Sequence, residues 1–313
     1  MSTNTGGFSS LLAPGLYEVL FNEIDEQVPQ WPPVFSTFDS VRAYEEDLKV
    51  AGLGAMLPKP EGTNTSFDDP IQGTTVRYTH NSFGLGFRIT REMWDDDLYD
   101  IMHGMAAELG RAAAYKIEVD AWSLLNRGFV STLVPDQGFD GLALFSTAHT
   151  RLDGGATYAN KPSVDVDFSY TAYQAALDNF NLLVDDRGRP LMLKPALCVV
   201  NPPFMWAAKE ILQSEYKPYT ENNEINPLKG TIDENGYLAC RYLTDNDAWF
   251  VLSKPRRQGT KKSQGHDAKF MWRTRPETSD ADDFLSGDAL FKVFARYSTG
   301  HGEWRGAYGS SGG

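Results

Sequence analysis

Cysteine is scarce: two residues in 313, each inside an apolar run, Cys198 in Leu-Cys-Val-Val and Cys240 in Tyr-Leu-Ala-Cys-Arg-Tyr-Leu. That excludes a disulfide framework and predicts buried free thiols in a reducing compartment. No apolar run approaches the ~20 residues of a membrane-spanning helix. The first ten residues have neither the basic nor the apolar region of a signal peptide. A soluble chain with no membrane partner is therefore expected. Cations are also in short supply. Against 42 Asp and Glu stand 29 Lys and Arg, a net charge of −13, which argues against general nucleic-acid binding through phosphate neutralisation.

Motifs that carry chemistry are missing as well. The histidines at positions 80, 103, 149, 266 and 301 are scattered, with no partner at helical i+4 spacing, and no CxxC or HExxH occurs; no transition metal is expected. Gly84-Leu85-Gly86 lacks the third glycine of a phosphate loop, and Asp233 to Gly236 lacks the alternating ligands of a calcium loop, so both read as backbone features and no cofactor is expected. Asp95, Asp96 and Asp97 read as negative charge at a helix start rather than as a cation site. In Asp140 to Thr150 (DGLALFSTAHT), Ser146 and His149 lie close in sequence, without the strained Gly-x-Ser-x-Gly turn that exposes a nucleophile. Seven Trp and 14 Tyr in an acidic chain admit a carbohydrate-active enzyme, yet no carboxylate pair sits in a recognisable setting, and large rings also fill cores and interfaces. The chain reads as a non-enzyme.

What is present is pattern. A hydrophobic content of 41% supports a real core in one large domain or two ordinary ones. Residues 1–14 are small, polar and unpatterned, so a mobile tip is expected. Leu16 to Val28 has helical spacing until the prolines of Pro29-Gln30-Trp31-Pro32-Pro33 stop it. Ala51 to Thr90 begins rich in Gly, Pro and Thr and becomes β-like, with Val76, Tyr78 and His80 on one face and Phe83, Leu85, Phe87 and Ile89 on one face further on. It reads as a long projecting hairpin that a neighbour must cover.

From Leu98 to Leu124 apolar residues step by threes and fours. A helix from about Met93 to Arg127 would span ~50 Å, with Thr90 as cap, Gly128 as exit, and close packing at Gly104 and Gly110 to offset their cost. Ser169 to Val184 reads as a helix with Ala172, Ala175, Ala176 and Leu182 inward. Leu191 to Val200 reads as a strand broken by Pro195. Asn201-Pro202-Pro203 starts a helix, with Asn201 as cap. Short strands follow at Trp249 to Leu252, Phe270 to Arg273 and Leu290 to Tyr297.

Several phrases, in order, resemble the Mu-like major head subunits of tailed bacteriophages. They are GLGFRITREMWDDDLYD (from Gly84), DGLALFSTAHT, ALCVVNPPFMWAAKEIL (from Ala196), YLTDNDAWFVL (from Tyr242) and ARYSTGHGEWRGAYGSSG (from Ala295). Together they span most of the chain from about Gly52; the first fifty residues match loosely. The resemblance implies the α+β tailed-phage capsid fold. Its parts would be an N-terminal arm (1–50), an E-loop (51–90), a P-domain with the long spine helix (91–165), an A-domain (166–260), and a return to the P-domain with a C-terminal tail (261–313). It implies a major capsid protein that self-assembles into hexamers and pentamers around double-stranded DNA. A portal, a cement protein and, since little chain precedes the first patterned segment, a separate scaffolding protein would be its partners, with assembly in the host cytoplasm. An encapsulin-like nanocompartment shell is the competing reading, and nucleic acid inside the native particle would separate the two.

Assembly contacts are expected at Lys59, Phe67 and Arg77 in the loop and at the acidic Asp95, Asp96 and Asp97. The one basic run, with Lys254, Arg256, Arg257, Lys261, Lys262 and Lys269, has no aromatic platform for single strands. It is expected to meet a neighbouring subunit's acidic patch, at Asp95 to Asp97 or Asp280 to Asp283. Lys59 is the only lysine between Ala51 and Thr90, and no acidic residue can be assigned as the base of an isopeptide bond; a non-covalent shell is expected.

Overall fold

The computed structural model describes residues 18–24, 26–95, 101–130, 137–218, 224–232, 236–256, 265–283 and 285–313. In chain order the elements are β1 (Ser36–Asp39), β2 (Tyr44–Ala51), β3 (Ile71–Thr79), β4 (Asn81–Ile89), α1 (Arg91–Asp95), α2 (Ile101–Asn126), α3 (Tyr170–Leu182), β5 (Pro195–Val200), a 3-10 turn (Pro202–Phe204), α4 (Met205–Gln213), β6 (Tyr237–Ala239), β7 (Trp249–Ser253), β8 (Ala268–Asp282), β9 (Ala289–His301) and β10 (Ala307–Ser310). They form one sheet in the order β1-β8-β9-β4, a second in the order β10-β7-β5-β6, and a separate two-stranded hairpin, β2-β3.

The expected long helix appears as α1 and α2, with residues 96–100 outside the described set. Thr90 caps α1, its Oγ1 accepting from Met93 N at 3.3 Å. On α2 the three-four spacing buries Leu109, Ile117, Ala121 and Leu124. Gly110 lets the helical stretch at residues 18–24 approach, since a Cβ there would stand 2.7 Å from Leu20 O, whereas Gly104 faces open space and has no such reason. Gly128 does not end the helix through a left-handed turn; a Cβ there would meet the Phe145 ring at 2.8 Å. The glycine serves packing at that point.

α3 is capped by Ser169 as expected, but its buried face is Ala172, Tyr173, Ala176 and Phe180, while Ala175 and Leu182 face outward. The two bulky rings, with more apolar area than alanine, set the phase. Asn201 makes no side-chain cap; its Nδ2 donates to Asp245 O at 3.1 Å instead, and Pro202 and Pro203 start the 3-10 turn because they need no amide donors. β7 is buried along its whole length, as an interior strand covered on both faces must be. The strands expected at Phe270 to Arg273 and Leu290 to Tyr297 are the long pair β8 and β9, extended well beyond those bounds. Both cysteines are free and buried, and burial pushes each thiol up to about 12, so neither is a thiolate at neutral pH.

The main correction concerns the hairpin. Its arms are β2 and β3, paired from Tyr44↔Thr79 to Ala51↔Ile71, so it starts inside the segment expected to be an arm. β4 does not belong to it and pairs along its full length with β9. The phase of β2 explains the misplacement: Glu45, Asp47 and Lys49 alternate where a half-buried strand would carry apolar residues.

Candidate assembly surface

Alternation on β2 is inverted. Lys49 and Ala51 are buried, while Tyr44, Leu48 and Val50 are exposed. The inward charges are matched below the hairpin. Lys49 Nζ lies 3.2 Å from Asp186 Oδ2 and 3.0 Å from Glu303 Oε2. Arg305 closes the square, at 3.2 Å from Asp186 Oδ1 and 2.8 Å from Glu303 Oε1. Burial raises the Glu303 carboxyl, but Arg305 and Lys49 outweigh it and hold the group below its usual range. Beside this square Lys269 pairs with Asp267 at 2.9 Å and with Asp47 on β2. Two cations set between two carboxylates neutralise a buried site that an isolated charge could not occupy.

A second clasp holds the hairpin's outer end. Arg187 Nε donates to Gly52 O at 2.9 Å and its Nη2 to Asp69 O, while Asp68 Oδ2 accepts from Gly54 N at 2.6 Å. That amide hydrogen bond and the Arg187 charge lower the Asp68 carboxyl. Both strand ends are thus tied down and the residues between them project. On that projection Met56 is 98% and Phe67 95% exposed, and Leu53 and Leu57 are also exposed. With the half-exposed Leu48 and Val50 they make an exposed apolar strip.

Of the residues expected to make contacts, Lys59 and Phe67 share this tip, both exposed. Arg77 lies on the outward face, 2.6 Å from Glu46 Oε1 and stacked 4.2 Å over the Tyr44 ring. Asp95 ends α1, and Asp96 and Asp97 fall outside the described residues. Arg256 N donates to His266 O at 3.1 Å, while Arg257, Lys261 and Lys262 fall outside the described residues. So do residues 1–17 and Asp233 of the supposed turn. Of the patch at Asp280 to Asp283 expected to meet the basic run, Asp283 is engaged within the subunit by Arg88 at 2.8 Å. Sequence reasoning missed Lys49, Asp186, Arg187, Glu303 and Arg305 altogether; the only signal was a strand whose buried phase was charged.

The Asp140-to-Thr150 phrase is a packing device. Gly141 takes a φ of +73° in its turn. His149 is fully buried, with Nδ1 2.6 Å from Asp140 Oδ2 and Nε2 3.0 Å from Asn160 Oδ1, and its ring stacks on Trp304 at 4.3 Å. Burial raises the Asp140 carboxyl, but the bond and charge of His149, the Leu142 amide and the Lys49 charge together outweigh it and leave the group lowered. Asn160 is oriented by Nδ2 donating to Leu144 O and Ala307 O and by Ser146 N donating to its Oδ1. Ser146 Oγ accepts from Ala148 N. Both ring nitrogens of His149 are thus engaged by Asp140 and Asn160, and through Asn160 the group ties this loop to β10.

A family model described as phage capsid protein matches residues 73–310. Among curated proteins nothing matches. Similar solved structures include the capsid of cyanophage P-SCSP1u, at 10% identity over 90% of this chain and 87% of that one, TM-score 0.60. The mature capsid of bacteriophage PhiM1 aligns at 10% identity over 90% and 86%, TM-score 0.58. The procapsid of bacteriophage JBD30 aligns at 16% identity over 98% and 76%, TM-score 0.52. At such identities the likeness establishes the fold, mixed helix and sheet of the capsid type.

Proposed function

The chain belongs to the phage capsid protein family, and from that premise we propose that it is the major head subunit, of the Mu-like group, closing into hexamers and pentamers that build an icosahedral shell around double-stranded DNA. In this reading the β2-β3 hairpin is the E-loop, and α2 with the β1-β8-β9-β4 sheet is the P-domain. The β10-β7-β5-β6 sheet with α3 and α4 is the A-domain. The shell assembles in the host cytoplasm with a scaffolding protein, a portal and a cement protein as partners, and the subunit catalyses nothing. The observation that carries it is the apolar tip: a lone subunit gains nothing by holding Met56 and Phe67 in water on a hairpin clasped at both ends, whereas a heterologous contact repeated around a ring covers every tip.

The test is Met56→Ser, Leu57→Ser and Phe67→Ser together. Because these side chains are exposed, the variant is expected to keep wild-type circular dichroism and lose less than ~0.5 kcal/mol per site, yet to build no shells in negative-stain images. Normal shells would remove the hairpin from the interface.

The basic run gives a second measurement. Lys261→Glu with Lys262→Glu is expected to impair capsomer formation, and raised salt to weaken the wild-type intermediates, as charge pairing across copies demands. A double variant that forms normal empty shells but packages DNA poorly would assign the run to DNA instead.

A further inference from the structure

Ile24 and residues 27–31 face α2 across a half-open cavity of about 250 Å³, lined mainly by apolar and aromatic side chains, among them Ile24, Trp31, Ile117, Tyr242 and Trp272. Among the described residues the single charged group in the lining is Glu118, whose residue is 5% exposed. Its Oε1 accepts from Gln30 N at 2.7 Å and its Oε2 from Trp122 Nε1 at 2.8 Å. Both partners are neutral donors, and no ion pair to Glu118 is found among the described residues. A buried carboxylate of this kind is costly unless a cation answers it. Burial accordingly pushes its carboxyl up, with the donors from Gln30, Trp122 and Trp31 pulling it part of the way back.

The rings around it are held in place beforehand. Trp31 stacks on Phe270 at 4.4 Å and meets Trp272 edge-on at 6.4 Å. The nearby cation, Arg275, sits 5.7 Å over the Trp272 ring but is exposed and paired with Asp39 at 3.0 Å, so its charge is engaged away from Glu118. Aromatic walls with one carboxylate make a receptor for a cation carried on an apolar stem.

We propose that this cavity is a binding site for a lysine side chain, supplied by Lys59 from the hairpin of a neighbouring copy. This rests on the reading that the hairpin docks on another subunit. Lys59 suits the role: it is exposed at the tip, between Pro58 and Pro60, which hold the chain extended and offer no amide hydrogens of their own. Its butyl stem would fill the space against Ile24 and Ile117, and its ammonium would meet Glu118 and the faces of the rings. The contact is non-covalent and gives the docked hairpin a register that apolar residues alone do not supply.

The experiment titrates a synthetic peptide of residues 52–70, and its Lys59→Gln form, onto the purified full-length subunit below its assembly concentration, with tryptophan fluorescence as readout. The native peptide is expected to bind about tenfold tighter than the Lys59→Gln peptide, and the Glu118→Gln subunit to bind both alike. Tyr242→Leu, at a partly buried ring, serves as a second receptor variant should Glu118→Gln fold poorly, and it too should narrow the difference. If both peptides bind the wild-type subunit equally, or if both receptor variants keep the tenfold difference, the cavity is not the lysine site, while docking of the hairpin stands. If neither peptide binds, the assignment of Lys59 is overturned, and the shell assay on the serine variant decides separately whether the hairpin is an interface.

Discussion

Lys49→Met is expected to destabilise the unassembled subunit by about 3–5 kcal/mol, the cost of breaking a buried ion network by removing one partner. The methionine keeps most of the stem, so the loss measures charge rather than packing. Asp186 and Glu303 would remain facing one another with Arg305 as their only cation in the square. Adding Asp186→Asn to Lys49→Met should recover part of the loss, because the two positions share one network and their effects are not additive. Urea unfolding with equal m-values across the set would provide the comparison. A loss under about 1 kcal/mol would place these charges among ordinary surface pairs. Since Lys49 sits on β2, shells should also fail in the single variant, through a hairpin that has lost its foundation rather than its contact surface.

Acidification should act on the same region through His301. The ring is buried and neither nitrogen has a hydrogen-bond partner. Burial holds the ring down to about 4, from an ordinary value of 6.5, against the pull of Asp140 and Glu303 and with the push of His149 and Lys269. The folded protein thus keeps this ring neutral where the unfolded chain takes up a proton. The stability it contributes is complete above about 6.5, falls as pH drops through that value, and stops falling near 4, where the folded ring protonates too. Over that window the linkage is worth about 3 kcal/mol. His301→Phe removes the titration, so the stability difference between wild type and variant should change by this amount between pH 7 and pH 4 and stay constant above 7. A difference that does not vary with pH would show that His301 is inert. Comparing the two proteins isolates this ring from Asp140 and Glu303, whose lowered carboxyls protonate at lower pH in both.

How far the sequence could be read depended on whether a residue's role was local. Ser169 and Thr90 were legible as caps because a cap involves a side chain and an amide three residues on. The buried stripe of α2 was legible because helical period alone places Leu109, Ile117, Ala121 and Leu124 on one side. The exposed tip with Lys59 and Phe67 was legible from its prolines and glycines. The hairpin's first arm was not, since a strand that buries Lys49 breaks the rule by which strands are recognised. The Glu118 cavity was equally hidden: Trp31, Glu118, Tyr242 and Trp272 come from four distant stretches, and nothing in any one of them marks the others.

By itself the sequence determined the stripe of the central helix, the place of the two helices after it and of the strand at Trp249, the free cysteines, and the phage capsid family at large. These depend on periodicity, composition and ordered phrases that survive in one dimension. Tertiary structure alone decided which strands pair, so that β4 joins β9 and leaves β3 to β2. It alone set the phase of α3, where Tyr173 and Phe180 turn Leu182 outward, and it alone joined Lys49 to Asp186, Glu303 and Arg305. The reason is common to all three. Partner choice in a sheet, the phase of a packed helix and the neutralisation of a buried charge are settled by what lies across the core, and residues more than a hundred positions apart leave no local trace of one another.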